Sequence, residues 1–467
     1  MIRFECNEKP VDASAFPAHT TLLEWLRLTG QVGTKEGCAE GDCGACTVLL
    51  TEAGGRTRAV NSCLVLLPQI HGRAVVTVEG LAEGTTLHPA QEAMVACLGS
   101  QCGYCTPGFV CAIAEACHRT DLDADWKLED QIAGNLCRCT GYRPIRDALV
   151  RVAGTAPDDA VGRASRAAPP TEAPVVHQEF SAPLTLPEAW EAVEAGARVV
   201  AGSTDVGLEV TQRHRRFARV LDVGRIEALQ GIVAIPGGWS LGAAVPLSDV
   251  EAWSEREVPV LHRMLRYFGA RQIKHRATLG GNLCTASPIG DLAPVLLALD
   301  AVLVVAGRAG ERRVPVSAWF TAYRQTAMAD GELLVRAEIP DPGAARLGAY
   351  KVSRRRELDI SAVSAAFRLV EDRGVVVLAR LAFGGVAATP IRLPAVEDQL
   401  VGSPWTEDAA EQAATAVGGL LRPLDDHRAS AAYRTLVAAN LVRGFYRETA
   451  DLAFRPLPPR HSGTVIP

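Results

Sequence analysis

The pattern of apolar and polar positions changes style along the chain. Up to about residue 80 the apolar runs are short. Val48-Leu49-Leu50 and Ala74-Val75-Val76-Thr77-Val78 predict strands, and Gly54-Gly55 predicts a turn. Thr21-Leu22-Leu23-Glu24-Trp25-Leu26-Arg27 predicts one amphipathic helix with a threonine cap. Beyond that point helical periodicity takes over, at Pro89–Cys97, Pro107–Cys117, Leu128–Asn135 and Pro144–Val152, with Pro107 and Pro144 where a first helical turn tolerates proline. Thr155 to Pro174 is rich in Ala, Pro and Asp without apolar periodicity and reads as a linker.

From about residue 177 helices and strands mix. Arg198–Ala201 predicts a strand running into Gly202-Ser203-Thr204-Asp205. Val220–Val223, Ser240–Ala243 and Ala301–Ala306 predict further strands, and Val258–Gly269 a helix. After about residue 345 Ser361–Glu371 and Val375–Phe383 read as hairpin strands, and Thr406–Val417 and Ala429–Glu448 as long helices. There is no repeat at a fixed period.

Composition narrows the class. With 48% hydrophobic and 22% charged residues, the 467-residue chain buries sizeable cores and is not a disordered protein. The net charge of −5 carries no nucleic-acid footprint. Arg354-Arg355-Arg356 is a short basic run whose default reading is a solvated loop. No apolar run approaches the roughly 18–20 residues of a membrane span, and acidic Glu5, Glu8 and Asp12 fall where a signal peptide would be apolar. A cytoplasmic protein without membrane or nucleic-acid partners is expected.

Cysteines change the picture most. There are 13, and only Cys284 lies beyond residue 140. A disulfide framework fits poorly in a long chain without a signal, whereas thiols serving as metal ligands fit well. Cys38-x4-Cys43-x2-Cys46, with Cys63 further on, is the plant-type ferredoxin spacing for a [2Fe–2S] cluster. Gly37, Gly41 and Gly44 let the backbone wrap round such a cluster, and Glu36, Glu40 and Asp42 should lower its potential. A structural zinc site is the alternative, but it usually has two paired short spacings. The second set is Cys102-x2-Cys105 with Cys137-x-Cys139, one pair opening a helix and the other closing one. Alone it is a moderate signal; beside the first set it is strong. Cys6, Cys97, Cys111, Cys117 and Cys284 read as small buried hydrophobes.

Three segments carry a resemblance: Gly37 to Cys46 (GCAEGDCGAC), Gln101 to Gly108 (QCGYCTPG) and Asn135 to Tyr142 (NLCRCTGY). In combination and order they resemble the xanthine dehydrogenase and aldehyde oxidase family of molybdenum hydroxylases, and the similarity continues over nearly the whole chain. The resemblance implies two [2Fe–2S] clusters, held by Cys38, Cys43, Cys46 and Cys63 and by Cys102, Cys105, Cys137 and Cys139. It places the helical cluster nearest the molybdopterin of a partner chain, approached by Cys139 and Gln101, and the ferredoxin-like cluster nearer a flavin.

Two further loops are ambiguous by themselves. Val199-Val200-Ala201-Gly202-Ser203-Thr204-Asp205-Val206 and Thr278-Leu279-Gly280-Gly281-Asn282 could crowd backbone N–H groups round a pyrophosphate, yet a Gly-Gly-Asn stretch is most often just a turn. No G-x-G-x-x-G follows a strand, so a Rossmann site is not supported. Both loops look like the FAD loops of the same family. That likeness implies diphosphate and ribose contacts from Val199–Val206 and from Thr278, Gly280, Gly281 and Asn282. It also implies Phe268 on the adenine side, Asp291 on a polar group of the cofactor, and Leu334 and Lys351 near the isoalloxazine. Ser353–Ile360 resembles the charged loop beside the flavin ring; an exposed charged turn is the equal alternative.

The expected architecture is multidomain α+β. A plant-type ferredoxin-like β-grasp domain spans 1–80, a four-helix [2Fe–2S] domain 81–154, and a linker 155–176. An α+β, non-Rossmann FAD-binding domain follows over 177–345, then a C-terminal α+β domain with an antiparallel sheet and helices over 346–467. The expected activity is a relay: electrons from purine hydroxylation at a molybdopterin centre on a large partner subunit pass through both clusters to FAD and then to NAD+. Two small and two large subunits would form a heterotetramer. The iron–sulfur and flavin parts are fused and the chain stops near the end of the flavin part, as in split bacterial enzymes of this family, which favours purine oxidation. No general acid or base is expected in this chain, because the cofactors carry the chemistry. Two rival readings are a self-contained NADH-dependent reductase and a zinc-stabilised interaction protein.

Overall fold

The computed structural model describes residues 1–356 and 358–450, together with the backbone of 465–466. The chain forms two compact units, Met1–Leu229 with Gly269–Thr278, and Gln230–Phe268 with the rest.

In the first unit a five-stranded mixed sheet runs in the order Lys9–Asp12, Arg3–Cys6, Ala74–Val76, Thr47–Thr51, Thr57–Asn61. Arg3–Cys6 pairs parallel with Ala74–Val76; the other pairings are antiparallel. Helix Leu22–Leu28 covers one face, capped by Thr21, whose hydroxyl accepts the Glu24 N–H. Thr47–Thr51 is buried at every position. Its alternate side chains serve two cores: Val48 and Leu50 join Phe4, Trp25 and Leu26, while Leu49 joins the helices that follow. Burial on both faces explains why this strand reads as an unbroken apolar run rather than an alternation.

Four helices follow at Pro89–Ala96, Thr106–Cys117, Asp125–Ala133 and Tyr142–Val152. Thr106–Cys117 is buried from Gly108 to Cys117 and forms their centre. The third helix begins three residues earlier than expected and ends at Ala133, capped by Gly134, before Asn135. A correction falls in the expected linker, where Ala160–Ala167 is a helix whose cap, Asp159, accepts the Gly162 N–H. Ala160, Val161 and Ala164 bury against the four-helix core. The face is made almost wholly of alanine, so hydropathy scarcely marks it. A four-stranded sheet, Val175–His177, Phe180–Ala182, Val220–Asp222, Arg198–Val200, completes the unit with Gly269–Thr278.

The second unit holds two five-stranded antiparallel sheets. The first runs Ile232–Ile235, Gly238–Gly242, Leu333–Pro340, Val302–Gly307, Gly310–Pro315. The second runs Ile391–Arg392, Val375–Gly384, Val363–Asp372, Arg346–Val352, Val465–Ile466. Helices Pro394–Leu400, Glu407–Leu420 and Ala431–Thr449 bury Trp405 and Phe445 with Phe367 and Phe383. The helix expected over Val258–Gly269 is confined to Pro259–Leu265, because Val258 is not helical and Gly269 takes a positive φ of 54°. Among the described residues no helix is long and apolar enough to cross a membrane.

Candidate cofactor sites

The first thiol group sits on the loop that enters the all-buried strand Thr47–Thr51. Ala39, Gly41 and Gly44 hold positive φ values of 54°, 84° and 67°, which curl the loop back on itself. Three N–H groups converge on Cys38 Sγ, from Glu40 at 3.4 Å and from Asp42 and Cys43 at 3.3 Å. Cys38 N–H in turn reaches Cys43 Sγ at 3.4 Å. The contact with the Cys43 thiol, helped by those N–H groups, holds the Cys38 thiol down at about 5 against its burial. The same contact raises the Cys43 thiol, so within this pair the thiolate, the form that binds metal, is favoured at Cys38. A Cβ on Gly37 would lie 2.7 Å from Cys43 Sγ, so only glycine leaves this sulfur free. Cys46 and Cys63 are buried and face one another, and the Cys63 contact lowers the Cys46 pKa. Partial burial, then the Cys38 and Asp42 charges, raise Glu40.

The second group joins the start of helix Thr106–Cys117 to the loop before Tyr142–Val152. Cys105 is the cap residue of the first helix. Cys137 Sγ accepts the Gly141 N–H at 3.4 Å, and the Cys137 N–H donates to the Tyr142 hydroxyl at 2.8 Å. Cys102 is exposed and contacts the Cys139 thiol; the Tyr104 N–H, then this contact, lower its pKa. Cys105 faces Cys137 and is pushed up to about 12, first by burial. Gln101 is exposed, with its Nε2 3.4 Å from where a Cβ on Gly141 would lie.

All eight cysteines thus fall into two groups of four, each made of two facing pairs. Among the described residues no three His, Cys, Asp or Glu side chains close round a single ion. Facing pairs suit a [2Fe–2S] cluster, in which each iron takes two thiolates, better than a mononuclear site, which needs all four ligands on one ion.

In the first unit Val199–Val206 runs from strand Arg198–Val200 into helix Val206–Thr211. A Cβ on Gly202 would lie 1.5 Å from Arg276 O, so the loop lies directly on the backbone that leads to Thr278. Ser203 has a φ of 66°, and its hydroxyl donates to Gln69 Oε1 at 2.7 Å. Gln69 Nε2 donates to Ala201 O at 3.0 Å and to Asp222 Oδ2 at 3.1 Å. Gln69, buried on the ferredoxin-like part, thus anchors the loop; nothing in Leu-Pro-Gln-Ile marks it beforehand.

In the second unit Gly280 and Gly281 belong to the short helix Leu279–Thr285, not to a free turn. Gly280 N–H donates to Ala243 O at 2.7 Å, and a Cβ there would lie 2.7 Å from that oxygen. Asp291 is buried, accepting from Lys351 Nζ at 2.9 Å and from Ser361 Oγ at 2.5 Å. Lys351 Nζ also donates to Tyr267 O at 2.9 Å, next to half-buried Phe268. Leu334 is a buried residue of Leu333–Pro340, paired with Val305. The basic run is tethered: Arg354 donates to the carbonyls of His427 and Arg428, and the Arg356 guanidinium lies 5.8 Å from the Tyr267 ring centroid. Glu357 lies outside the described residues.

Comparison with known proteins covers the chain in four consecutive stretches. Residues 4–67 match the 2Fe-2S iron-sulfur cluster binding domain and 77–150 the [2Fe-2S] binding domain. Residues 176–342 match the FAD binding domain in molybdopterin dehydrogenase, and 348–449 the CO dehydrogenase flavoprotein C-terminal domain. The chain is 30% identical to a xanthine dehydrogenase/oxidase of Rattus norvegicus across 87% of its own length and 36% of the relative's. It is 32% identical to a xanthine dehydrogenase of Drosophila subobscura across 95% of its own length and 38% of the relative's. The chain therefore spans a little over a third of these curated relatives. Among solved structures, a carbon monoxide dehydrogenase chain from Hydrogenophaga pseudoflava superposes with a TM-score of 0.54 at 26% identity, covering 58% of this chain and 96% of that one. A chain of quinoline 2-oxidoreductase from Pseudomonas putida 86 gives 0.54 at 26% identity, covering 60% and 98%.

Proposed function

This chain belongs to the xanthine dehydrogenase/CO dehydrogenase family of molybdenum hydroxylases as its iron–sulfur and FAD part, and on that premise we propose that it is the electron-transfer subunit of an NAD-dependent xanthine dehydrogenase. Its cofactors are two [2Fe–2S] clusters and FAD. When bound, these supply one- and two-electron carriers between a molybdopterin centre on a large partner subunit and NAD+. Cys38, Cys43, Cys46 and Cys63 ligate one cluster, and Cys102, Cys105, Cys137 and Cys139 the other. Val199–Val206 and Thr278–Asn282 hold the diphosphate and ribose of the flavin. Phe268, Asp291, Leu334 and Lys351 line its adenine and ring ends. A cytoplasmic setting suits 13 free cysteines, and the heterotetramer of two small and two large subunits goes with it.

One observation carries the purine reading. The xanthine dehydrogenase relatives align with this chain over 87–95% of its length, through the iron–sulfur and flavin stretches together. The carbon monoxide and quinoline enzyme chains are covered almost whole yet match only 58–60% of it. Those structures favour the second reading, an equivalent subunit of an enzyme for another substrate.

The test is purification with whatever large partner accompanies the chain. About four irons and one flavin per chain are expected, with turnover of xanthine by NAD+. A colourless zinc protein would overturn the cofactor assignment. Reduction by an aldehyde or N-heterocycle but not by xanthine would move the assignment to the second reading.

A further inference from the structure

The two thiol groups are joined by a backbone contact that a distant glutamine holds in place. Leu136 N–H donates to Cys43 O at 2.9 Å. Leu136 is the neighbour of Cys137, so this single hydrogen bond connects a cysteine of the first group to one of the second. The approach depends on glycine. A Cβ on Gly44 would lie 2.1 Å from Gly134 O, and one on Gly108 would lie 2.3 Å from Gly44 O.

Asn135, only 1% exposed, fixes the register of this contact. Its Nδ2 donates to Gly44 O at 2.8 Å and to Thr47 Oγ1 at 3.1 Å, while Thr47 Oγ1 itself donates to Gly44 O at 2.6 Å. Its Oδ1 accepts from Gln272 Nε2 at 2.7 Å. That last bond sets the orientation of the carboxamide. A flipped amide would turn Oδ1 on Gly44 O and its N–H groups on Gln272 Nε2, giving two buried clashes of like polarity. Gln272 is 1% exposed and lies in Arg271–Lys274, where Lys274 Nζ is tied to Asp130 Oδ1 at 3.0 Å.

We propose that Gln272 is a positioning residue for electron transfer between the two clusters, acting through Asn135 on the Leu136 N–H to Cys43 O hydrogen bond. This rests on the assignment of both clusters to the eight cysteines. The step is a one-electron exchange in which one cluster is oxidised as the other is reduced, with no proton moved. Gln272 touches neither thiol group's sulfurs by any hydrogen bond in the structure. It holds one link between them; the Tyr104 hydroxyl, which donates to Glu36 O, forms another.

The test uses the purified holoenzyme carrying Gln272→Met. Gln272 Oε1 is buried without a hydrogen-bond partner, so methionine removes an unpaired acceptor together with the donor and keeps the volume. Two readouts separate positioning from mere stability: the magnetic interaction between the two clusters, seen by EPR after full dithionite reduction, and the rate of their equilibration in rapid-freeze EPR after mixing with NADH. A weakened EPR splitting and equilibration slowed about tenfold are expected, the scale on which small misplacements act on a positioned reaction. Wild-type splitting and rate in a variant of full iron content would overturn the proposal. Should the methionine variant not fold, Gln272→Glu serves. Its ionised carboxylate cannot donate, whereas its protonated form can, so coupling that weakens as pH is raised and recovers on acidification supports the role, and wild-type coupling throughout that range refutes it. If the wild-type enzyme itself shows no two EPR-distinct clusters, the cofactor assignment fails instead.

Discussion

Replacing Gly202 by alanine tests whether the loop Val199–Val206 is a close-fitting cradle. The added Cβ would lie 1.5 Å from Arg276 O and 2.3 Å from Arg276 C. An unstrained carbon–oxygen contact needs about 3.3 Å, so the two backbones must part by roughly 2 Å. Neither wall yields easily. On one side Ala201 O is held by Gln69 Nε2 at 3.0 Å. On the other, the N–H groups of Arg276 and Ala277 both donate to Ile273 O, at 3.0 and 2.7 Å. Overpacking of this kind costs about 1–3 kcal/mol or more. For a unit of some 240 residues, about 3 kcal/mol lowers Tm by roughly 6–12 °C. A loop displaced by that distance can no longer present its N–H groups to a diphosphate. Gly202→Ala should therefore purify with far less than one flavin per chain and with its iron retained, read from the visible spectrum and iron assay, and its flavin-free form should melt early. Gly444→Ala is the matched control, since nothing lies within 4 Å of its Cβ position inside helix Ala431–Thr449. It should gain up to about 1 kcal/mol. Full flavin content in Gly202→Ala, with a Tm close to wild type, would refute the cradle.

Two further outcomes follow from buried charge. Lys274 is fully buried against Asp130, so Lys274→Met leaves a buried carboxylate compensated by Arg271, 3.7 Å away, and less strongly by Arg119. A loss of about 3 kcal/mol in denaturant unfolding is expected, the lower end for a broken buried pair; a loss below about 0.5 kcal/mol would show that Arg271 and Arg119 suffice. The second concerns acid. His19 Nε2 accepts the Phe217 N–H and His71 Nδ1 accepts the Arg3 N–H, each at 3.0 Å. Burial holds both imidazoles below their usual value of 6.5, with Arg225 adding to the effect at His71. The native state then binds fewer protons than the unfolded one. Their contribution to stability is complete above about pH 6.5 and declines as pH falls through the depressed native values. Tm should drop between pH 7 and pH 5, and less steeply in His19→Gln; equal slopes would refute the assignment to His19.

What the sequence revealed and what it hid divide along a physical line. The cysteine groups were legible because the spacing that suits metal ligation is local: Cys38, Cys43 and Cys46 lie on one loop, and the glycines that curl it lie between them. Core strands and helices were legible because burial imposes a period, so Ser361–Glu371 and Val375–Phe383 were expected close to the observed Val363–Asp372 and Val375–Gly384. The helix Ala160–Ala167 escaped because its buried face is alanine and one valine, too weak a signal to set against the Pro and Asp around it. The polar contacts escaped for a deeper reason. Gln69 meets Ser203 across 134 positions, and Gln272 meets Asn135 across 137. A buried carboxamide needs one partner in one orientation, and nothing periodic says where that partner stands. Those same contacts decide how the loop Val199–Val206 is held and how the two cysteine loops meet. The candidate ligands of this chain stand in its motifs, whereas Gln69 and Gln272, which hydrogen-bond to those loops, belong to none of them. Asn135 stands at the head of Asn-Leu-Cys-Arg-Cys and, like Ser203 in its loop, is a point where the local pattern and the long-range network share a side chain.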